Sequence, residues 1–562
     1  MIIPQGSMKH FNLGNLLWNT GAATLLLWLP LLIFLKDHDY PLVKPETAIC
    51  LACILVAGLF WGMVMCLGRT PGRIIAMVFL AILVVDVQTD WITTLGLRLL
   101  LNILFFGTIF WFLRKRLSKF VVVVAGCMVL GTVLMPPREQ ITLTGPSLDE
   151  PVERSDLPFI LHLILDEHIG IEGIPREFDA DGEIAAEVRD SYMDMGFRVF
   201  GRAYSDYYHT TKTIPNLLNF TVSTNDVEYL PPPFRRKKPL RRNAWFDLLG
   251  DMGYRNHVFQ SNYITYDRRL DPSRARGVES SLTYASESIH PLSSVAIPVI
   301  DKSRYILGSY LRLSYFLTMM RDGYGDLRRS SVGLNLGLPA WDRSGKYLSV
   351  LSSMDAIPLL ERDLEHAAPG KAFFVHLLLP HYPYAYDRDC EVRVMNDGWL
   401  NAEDVSKAPR RNDAESRALR YPLYLDQLIC TNNTIKKILE ELSTRPWWDD
   451  AIIIVHGDHG SRIDMGPPKV PTVAEMNAQD FLDAFSTLFV IKMPGLPAGY
   501  DRRQLPIGHL FKKLVKDRAD PGDPDLERHP SVLVVDGSAP MLKVDLPFFD
   551  HGLPLTEADG RE

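Results

Sequence analysis

The amino-acid sequence predicts a five-span α-helical membrane domain followed by an α/β sandwich domain with a mostly parallel sheet. Three observations predict it. Apolar residues crowd into long blocks between Leu13 and Met135, short wholly apolar runs recur beyond residue 158, and the residues that end those runs are acids and histidines. At 562 residues the chain exceeds what one hydrophobic core organises. The domains are placed at 1–135 for the membrane part, 136–157 for a linker opened by Pro136-Pro137, and 158–562 for the α/β part.

A helix needs about 20 mostly apolar residues to cross a hydrocarbon core about 30 Å thick. Five blocks meet or approach that length: 13–35, 47–67, 74–95, 97–113 and 120–135. With the amino terminus inside, Lys9, Arg69, Arg73, Arg114, Lys115, Arg116 and Lys119 flank the inner ends, against Lys36, Lys44 and Arg98 outside. That is the asymmetry of cytoplasmic loops, so everything after Met135 is expected outside. The first block lacks a small-residue cleavage site and reads as a retained anchor. Asp86 and Asp90 in the third block read as acids wetted near the outer interface. Cys390 and Cys430 are the cysteines of the exported part and predict one disulfide. A net charge of −7 excludes a nucleic-acid partner, and the cluster Arg235-Arg236-Lys237-Lys238 reads as a solvated loop.

Strands are expected at 159–165, 255–260, 373–379, 452–455, 488–491 and 532–535. Runs that are apolar throughout suit parallel strands buried on both faces, with helices on each side of the sheet. In such sheets ligands gather beyond the carboxyl ends of strands. That selects Asp166-Glu167-His168, His381, and His456-Gly457-Asp458-His459-Gly460. Hard acids and imidazoles converging from separate strands are what a divalent cation requires.

Taken together, Asp166-Glu167 after a strand, HTTKTIPNLLNFT at 209–221, HYP at 381–383 and HGDHG at 456–460 resemble the alkaline phosphatase/sulfatase superfamily. Within it they are similar to the membrane-bound phosphoethanolamine transferases and the lipoteichoic-acid-type phosphoglycerol transferases, five-span proteins with an exported catalytic domain. The resemblance implies a bacterial cytoplasmic (inner) membrane protein with its catalytic domain on the periplasmic or extracellular side. It implies a divalent metal ion, zinc or manganese, held by Glu167, Asp458, His459 and a nucleophilic threonine. Phosphoethanolamine transferases place that threonine five residues before a proline, which selects Thr210 ahead of Pro215, with Thr211 as its nearest rival. The sulfatase frame selects Thr213, but the arginine that follows the proline there is absent. Asp166 matches the paired acids of sulfatases and is expected as a further ligand. His381 is expected to hold the phosphate or protonate the departing group, while His168 and His456 read as supporting or core histidines.

The chemistry has its own logic. A threonine hydroxyl is a weak nucleophile at neutral pH, and a cation beside it favours the alkoxide and screens the charge of a phosphodiester. The expected reaction is transfer of a headgroup phosphate from a membrane phospholipid donor to a glycan or lipid acceptor. Two alternatives stay open: a hydrolase of sulfate or phosphodiesters, and a catalytically silent lipid-sensing regulator.

Overall fold

The computed structural model describes residues 13–67, 70–88, 95–145, 147–148, 154–223, 238–266, 278–311, 313–314, 323–328, 330–336, 348–393, 399, 405, 412–466, 468–470, 472–519, 529–536 and 539–547. Asp90, the Asp86 side chain and the basic run 235–237 lie outside this set. Internal contacts divide the chain into two compact units, residues 1–140 with 289–346, and residues 141–288 with 347–562.

In the first unit each apolar block is a helix: α1 (Leu13–Asp37), α2 (Pro45–Leu67), α3 (Thr70–Gln88), α4 (Leu95–Phe112) and α5 (Leu117–Leu134). Among the described residues, Leu13–Asp37, Pro45–Cys66 and Leu117–Leu134 are long and apolar enough to cross a membrane, while α3 and α4 hold shorter apolar stretches, Thr70–Ile82 and Leu100–Phe112. Small residues let α1 and α2 meet closely. A side chain on Gly58 or Gly62 would collide with Thr24 or Thr20 of α1. The unit also takes in residues 289–346, which the sequence reading assigned to the α/β domain.

The second unit is built on a nine-stranded sheet in the order β1-β7-β5-β8-β2-β9-β10-β3-β11. Its strands are β1 (Ile141–Thr144), β2 (Ile160–Leu165), β3 (Arg198–Phe200), β5 (Arg255–Ser261), β7 (Ser280–Tyr284), β8 (Lys371–Leu377), β9 (Ile452–Gly457), β10 (Phe489–Lys492) and β11 (Gly499–Asp501). The small pairs β4 (Lys238–Pro239) with β6 (Ile264–Thr265) and β12 (Ser531–Asp536) with β13 (Ala539–Asp545) stand apart. The central β7-β5-β8-β2-β9 block is parallel throughout.

Three expectations are revised. The presumed linker supplies β1, an antiparallel edge strand on β7. The run 488–491 forms β10, antiparallel to both its neighbours. The run 532–535 lies in the separate β12-β13 hairpin. For β10 the cause is that an apolar run reports burial on both faces, which a strand inside the sheet has whichever way its partners run.

Helices α6 (Glu183–Met193), α7 (Thr210–Leu218) and α8 (Ala244–Met252) belong to this unit. α7 and α8 pack Ile214, Leu217, Leu218, Trp245 and Phe246 against Ile160, Ile164, Phe374 and Ile454 of the sheet. A disulfide joins Cys390 to Cys430, as expected from the sequence.

Candidate active site

Strand alternation decides which side chains meet. β2 lies between β8 and β9, with Ile164 opposite His376 on one side and His456 on the other. Residues two apart share a face, so His162, Ile164 and Asp166 follow one line beside Phe374 and His376, and beside Ile454, His456 and Asp458. Because α7 packs on that same face, its first residue, Thr210, arrives at the carboxyl ends of β2 and β9.

There the predicted residues converge. Thr210 Oγ1 lies 3.2 Å from His459 Nε2 and 3.4 Å from Asp166 Oδ1. His459 Nε2 lies 3.2 Å from Asp458 Oδ2 and 3.9 Å from Asp166 Oδ1. Ligand atoms of Asp166, Asp458 and His459 fall within 4.8 Å of one another, and so do those of Asp166, Glu167 and His381, so Asp166 joins both groups. His381 is partly exposed; its Nδ1 donates to the Tyr382 carbonyl at 2.5 Å and its Nε2 sits 3.5 Å from Glu167 Oε1.

Glu167 occupies the left-handed region at φ +63°, which costs an L-residue about 1–2 kcal/mol. Three backbone-directed bonds hold it. Its N–H donates to Asp458 Oδ1 at 3.0 Å, Tyr424 Oη donates to its carbonyl at 2.7 Å, and the Ile169 N–H donates to Tyr424 Oη at 2.9 Å. His459 N–H also donates to Asp458 Oδ1, at 3.0 Å.

The electrostatics favour a cation. Burial pushes Asp166 well above the usual carboxylate range, and the Asp458 and Glu167 carboxylates add to the shift. Burial raises Asp458 as well, against the bond from the Glu167 N–H. Burial also lowers His459 to about 3, so its imidazole is neutral, and because Nδ1 donates to the Gly460 carbonyl at 3.1 Å, Nε2 carries the lone pair. Glu167 Oε2 and Asp458 Oδ2 are buried without a hydrogen-bond donor. Three clustered acids, two of them with an orphaned oxygen, and a neutral imidazole form a donor set that fits a divalent ion.

Other candidates are consumed elsewhere. Thr213 is buried with its hydroxyl 3.0 Å from Ser205 Oγ and 3.3 Å from the Tyr207 carbonyl. His168 donates from Nδ1 to the Ile169 carbonyl at 2.8 Å and accepts at Nε2 from Asn432 at 2.9 Å. His456 donates from Nδ1 to the Gly457 carbonyl at 2.5 Å, so its Nε2 accepts from His162 at 2.8 Å.

Three neighbours escaped the sequence reading. His376 Nε2 is buried without a hydrogen-bond partner and faces Asp166 Oδ2 at 3.9 Å. Arg462 places Nη1 3.4 Å from Glu167 Oε1 and its guanidinium 5.0 Å from the centre of the Tyr208 ring. Tyr424 fixes the backbone at Glu167. The available signals were a lone histidine in an otherwise apolar strand run, and an arginine three residues beyond His459.

The family model described as Sulfatase matches residues 194–503. The chain belongs to the sulfatase family. This places it in the alkaline phosphatase superfamily, as its motifs imply. The matched stretch of this sulfatase-family chain holds Thr210, His381, Asp458 and His459, while Asp166 and Glu167 precede it. No curated protein matches the chain. Among solved structures it is similar to the phosphonate monoester hydrolase of Agrobacterium radiobacter, at 16% identity and TM-score 0.39, covering 67% of this chain and 80% of that one. It is similar to the C-terminal periplasmic domain of EcEptC from Escherichia coli at 12% identity and TM-score 0.38, covering 74% and 98%. The zinc complex of that domain aligns at 14% identity and TM-score 0.37, covering 76% and 99%.

Proposed function

We propose that this sulfatase-family chain is a metal-dependent phosphotransferase. It moves phosphoethanolamine or phosphoglycerol from a membrane phospholipid to an exported glycan or lipid through a phospho-threonine at Thr210. The observation that carries the reading is the placement of a helix-initial threonine hydroxyl 3.2 Å from His459 Nε2 and 3.4 Å from Asp166 Oδ1.

Asp166, Glu167, Asp458 and His459 would hold a divalent cation, zinc or manganese, beside Thr210 Oγ1. Such an ion, when bound, lowers the pKa of a coordinated hydroxyl and screens phosphate charge. Thr210 Oγ1, its proton released to solvent, attacks the donor phosphorus; the new O–P bond replaces the bond to diacylglycerol, and His381 in its imidazolium form gives its Nε2 proton to the departing alkoxide. The amino-terminal end of α7 is the positive end of that helix's dipole and favours the anionic phosphoryl group there. In the second half the acceptor hydroxyl attacks the same phosphorus, His381 takes its proton, and Thr210 is regenerated.

The membrane topology we propose has five spans with the amino terminus inside and residues 136–157 leading to the exported catalytic domain in the periplasmic or extracellular space. Adjacent ends of α1 and α5 support it: Lys36 Nζ donates to the Met135 carbonyl at 2.9 Å and the Arg138 N–H to the Lys36 carbonyl at 3.1 Å. Two helices that both finish on one face require an odd number of crossings. The Lys and Arg flanks then set which face is inside.

The test is product analysis with purified full-length protein, metal, and phosphatidylethanolamine or phosphatidylglycerol, with and without envelope acceptors. Transfer predicts diacylglycerol release with the headgroup phosphate recovered on an acceptor. Headgroup phosphate released only to water would assign a hydrolase, and a metal-loaded protein that turns over neither donor would assign a silent regulator.

A further inference from the structure

Residues 289–346 leave the strand β7 region of the chain and group with the helices α1 to α5. The segment includes α9 (Val299–Leu311), which packs along α1 and α2 through a ladder of bonds. At the top, His290 Nδ1 donates to the Asp39 carbonyl at 2.8 Å and Lys44 Nζ to the Ser293 carbonyl at 3.0 Å, both in the α1–α2 turn. Ser303 Oγ lies 3.3 Å from the Glu46 carbonyl, and Cys50 Sγ lies 3.5 Å from the Ser303 carbonyl, in the first turns of α2. Further along, the Tyr310 ring centre is 6.1 Å from that of Phe34, and its hydroxyl is 3.5 Å from the Leu27 carbonyl.

Depth follows from helix geometry. Leu27 is ten residues before Asp37, about 15 Å along α1 at 1.5 Å per residue, inside a hydrocarbon core about 30 Å thick. From Ser303 to Tyr310 α9 itself advances about 10 Å in the same direction. Ile300, Arg304, Leu307 and Leu311 follow spacings of four, three and four, one stripe of a helix. Ile300 is 57% and Leu311 48% exposed, whereas Lys302, Ser303, Tyr305 and Tyr310 on the other side are buried. Beyond α9, Leu327, Val332 and Leu336 are exposed too, the last at 69%. A helix whose polar side faces other helices and whose apolar side faces out, at bilayer depth, has inverted the arrangement expected in water.

We infer that residues 289–311 enter the outer half of the bilayer beside α1 and α2, with Ile300 at the interface and Leu307 and Leu311 presented to lipid acyl chains. The occupant of this face is the bilayer itself, because α9 reaches the depth of Leu27 on α1, and α2 at a similar depth, eleven residues or about 16 Å past Pro45, also exposes an apolar residue, Val56. Arg304, one turn deeper than Ile300 on the same stripe, reaches back to within 3.7 Å of Asp301, toward the surface end of α9 where lipid phosphates lie. The inference rests on the proposed membrane reading of α1 and α2. It makes a segment inserted within the α/β domain's sequence, and not the amino-terminal helices alone, part of the membrane-embedded protein.

The test uses the unmodified full-length protein in vesicles containing a phospholipid with a diazirine in its acyl tail, followed by photolysis and peptide mapping. The expected result is label on peptides from 299–311 as well as on the helices within 13–134. Label confined to 13–134 overturns the inference and leaves the membrane reading standing, including the case where dimer crosslinks show a second copy covering the stripe. Absence of label from 13–134 overturns both. As a second measurement, nitroxides at Leu307→Cys and Leu311→Cys should show the oxygen-over-nickel accessibility of lipid, like Phe60→Cys. Accessibility at either site matching the aqueous control Lys436→Cys would contradict it.

Discussion

Replacing Tyr424 by Phe removes one oxygen from the helix Ala414–Ser443, yet that oxygen clamps two backbone groups of the site. It donates to the Glu167 carbonyl at 2.7 Å and accepts from the Ile169 N–H at 2.9 Å, and both it and Glu167 are fully buried. Each buried backbone group left without a partner costs about 1–3 kcal/mol, so the pair costs about 2–6 kcal/mol. The loss falls where Glu167 already holds φ +63°, so relaxation of that residue is the cheapest response. The expected outcome is a melting temperature lower by at least about 4 °C, at 2 °C per kcal/mol for a large domain. Metal affinity, measured by calorimetry on the full-length protein, should fall about 10- to 100-fold, as for other residues that orient a ligand. An unchanged melting temperature together with unchanged metal affinity would refute the claim that Tyr424 positions Glu167.

Further outcomes follow from other parts of the α/β domain. Breaking the disulfide with Cys390→Ser and Cys430→Ser opens a loop of 40 residues, which predicts a loss of about 4 kcal/mol in chemical denaturation on the loop-entropy relation; a loss below about 1 kcal/mol would contradict it. Burial raises Asp464 to about 7 even though Tyr208 Oη donates to it at 2.9 Å. Its ionised form is therefore disfavoured in the folded state, and stability should fall as pH rises from about 4 towards 7, by up to about 4 kcal/mol. Asp464→Asn should flatten that slope in denaturation curves taken across the window, and an unaltered slope would rule Asp464 out as its source.

How much of this was legible can be argued residue by residue. Asp166, Glu167, Asp458 and His459 stood out because polar ligands ending wholly apolar runs have few structural uses, and the sheet does bring them together. Choosing Thr210 over Thr213 required the proline frame in the sequence, and the fold supplies the physical reason: Thr213 points back to Ser205 while Thr210 begins α7. His376 was hidden because a lone histidine in a strand reads as core, and its relation to Asp166 exists only across the β2-β8 pairing. Tyr424 was hidden for a similar reason, since a tyrosine on a mostly buried helix reads as packing. The membrane-seated excursion escaped hydropathy altogether. Asp301, Lys302, Ser303 and Arg304 depress the average of α9, although three of them are buried against neighbouring helices.

The central claim is that Thr210 carries the phosphoryl group while the acids and His459 hold the ion. The most direct measurement is mass spectrometry of the metal-loaded full-length protein, trapped after mixing with phosphatidylethanolamine or phosphatidylglycerol without acceptor, with the adduct mapped by fragmentation and metal content measured in parallel. The account predicts a headgroup phosphate on Thr210 in the native protein. In Thr210→Ala it predicts no adduct but metal largely retained, and in Asp458→Asn adduct and metal lost together. An adduct on Thr211 or Thr213, or full transfer activity in Thr210→Ala, would contradict it.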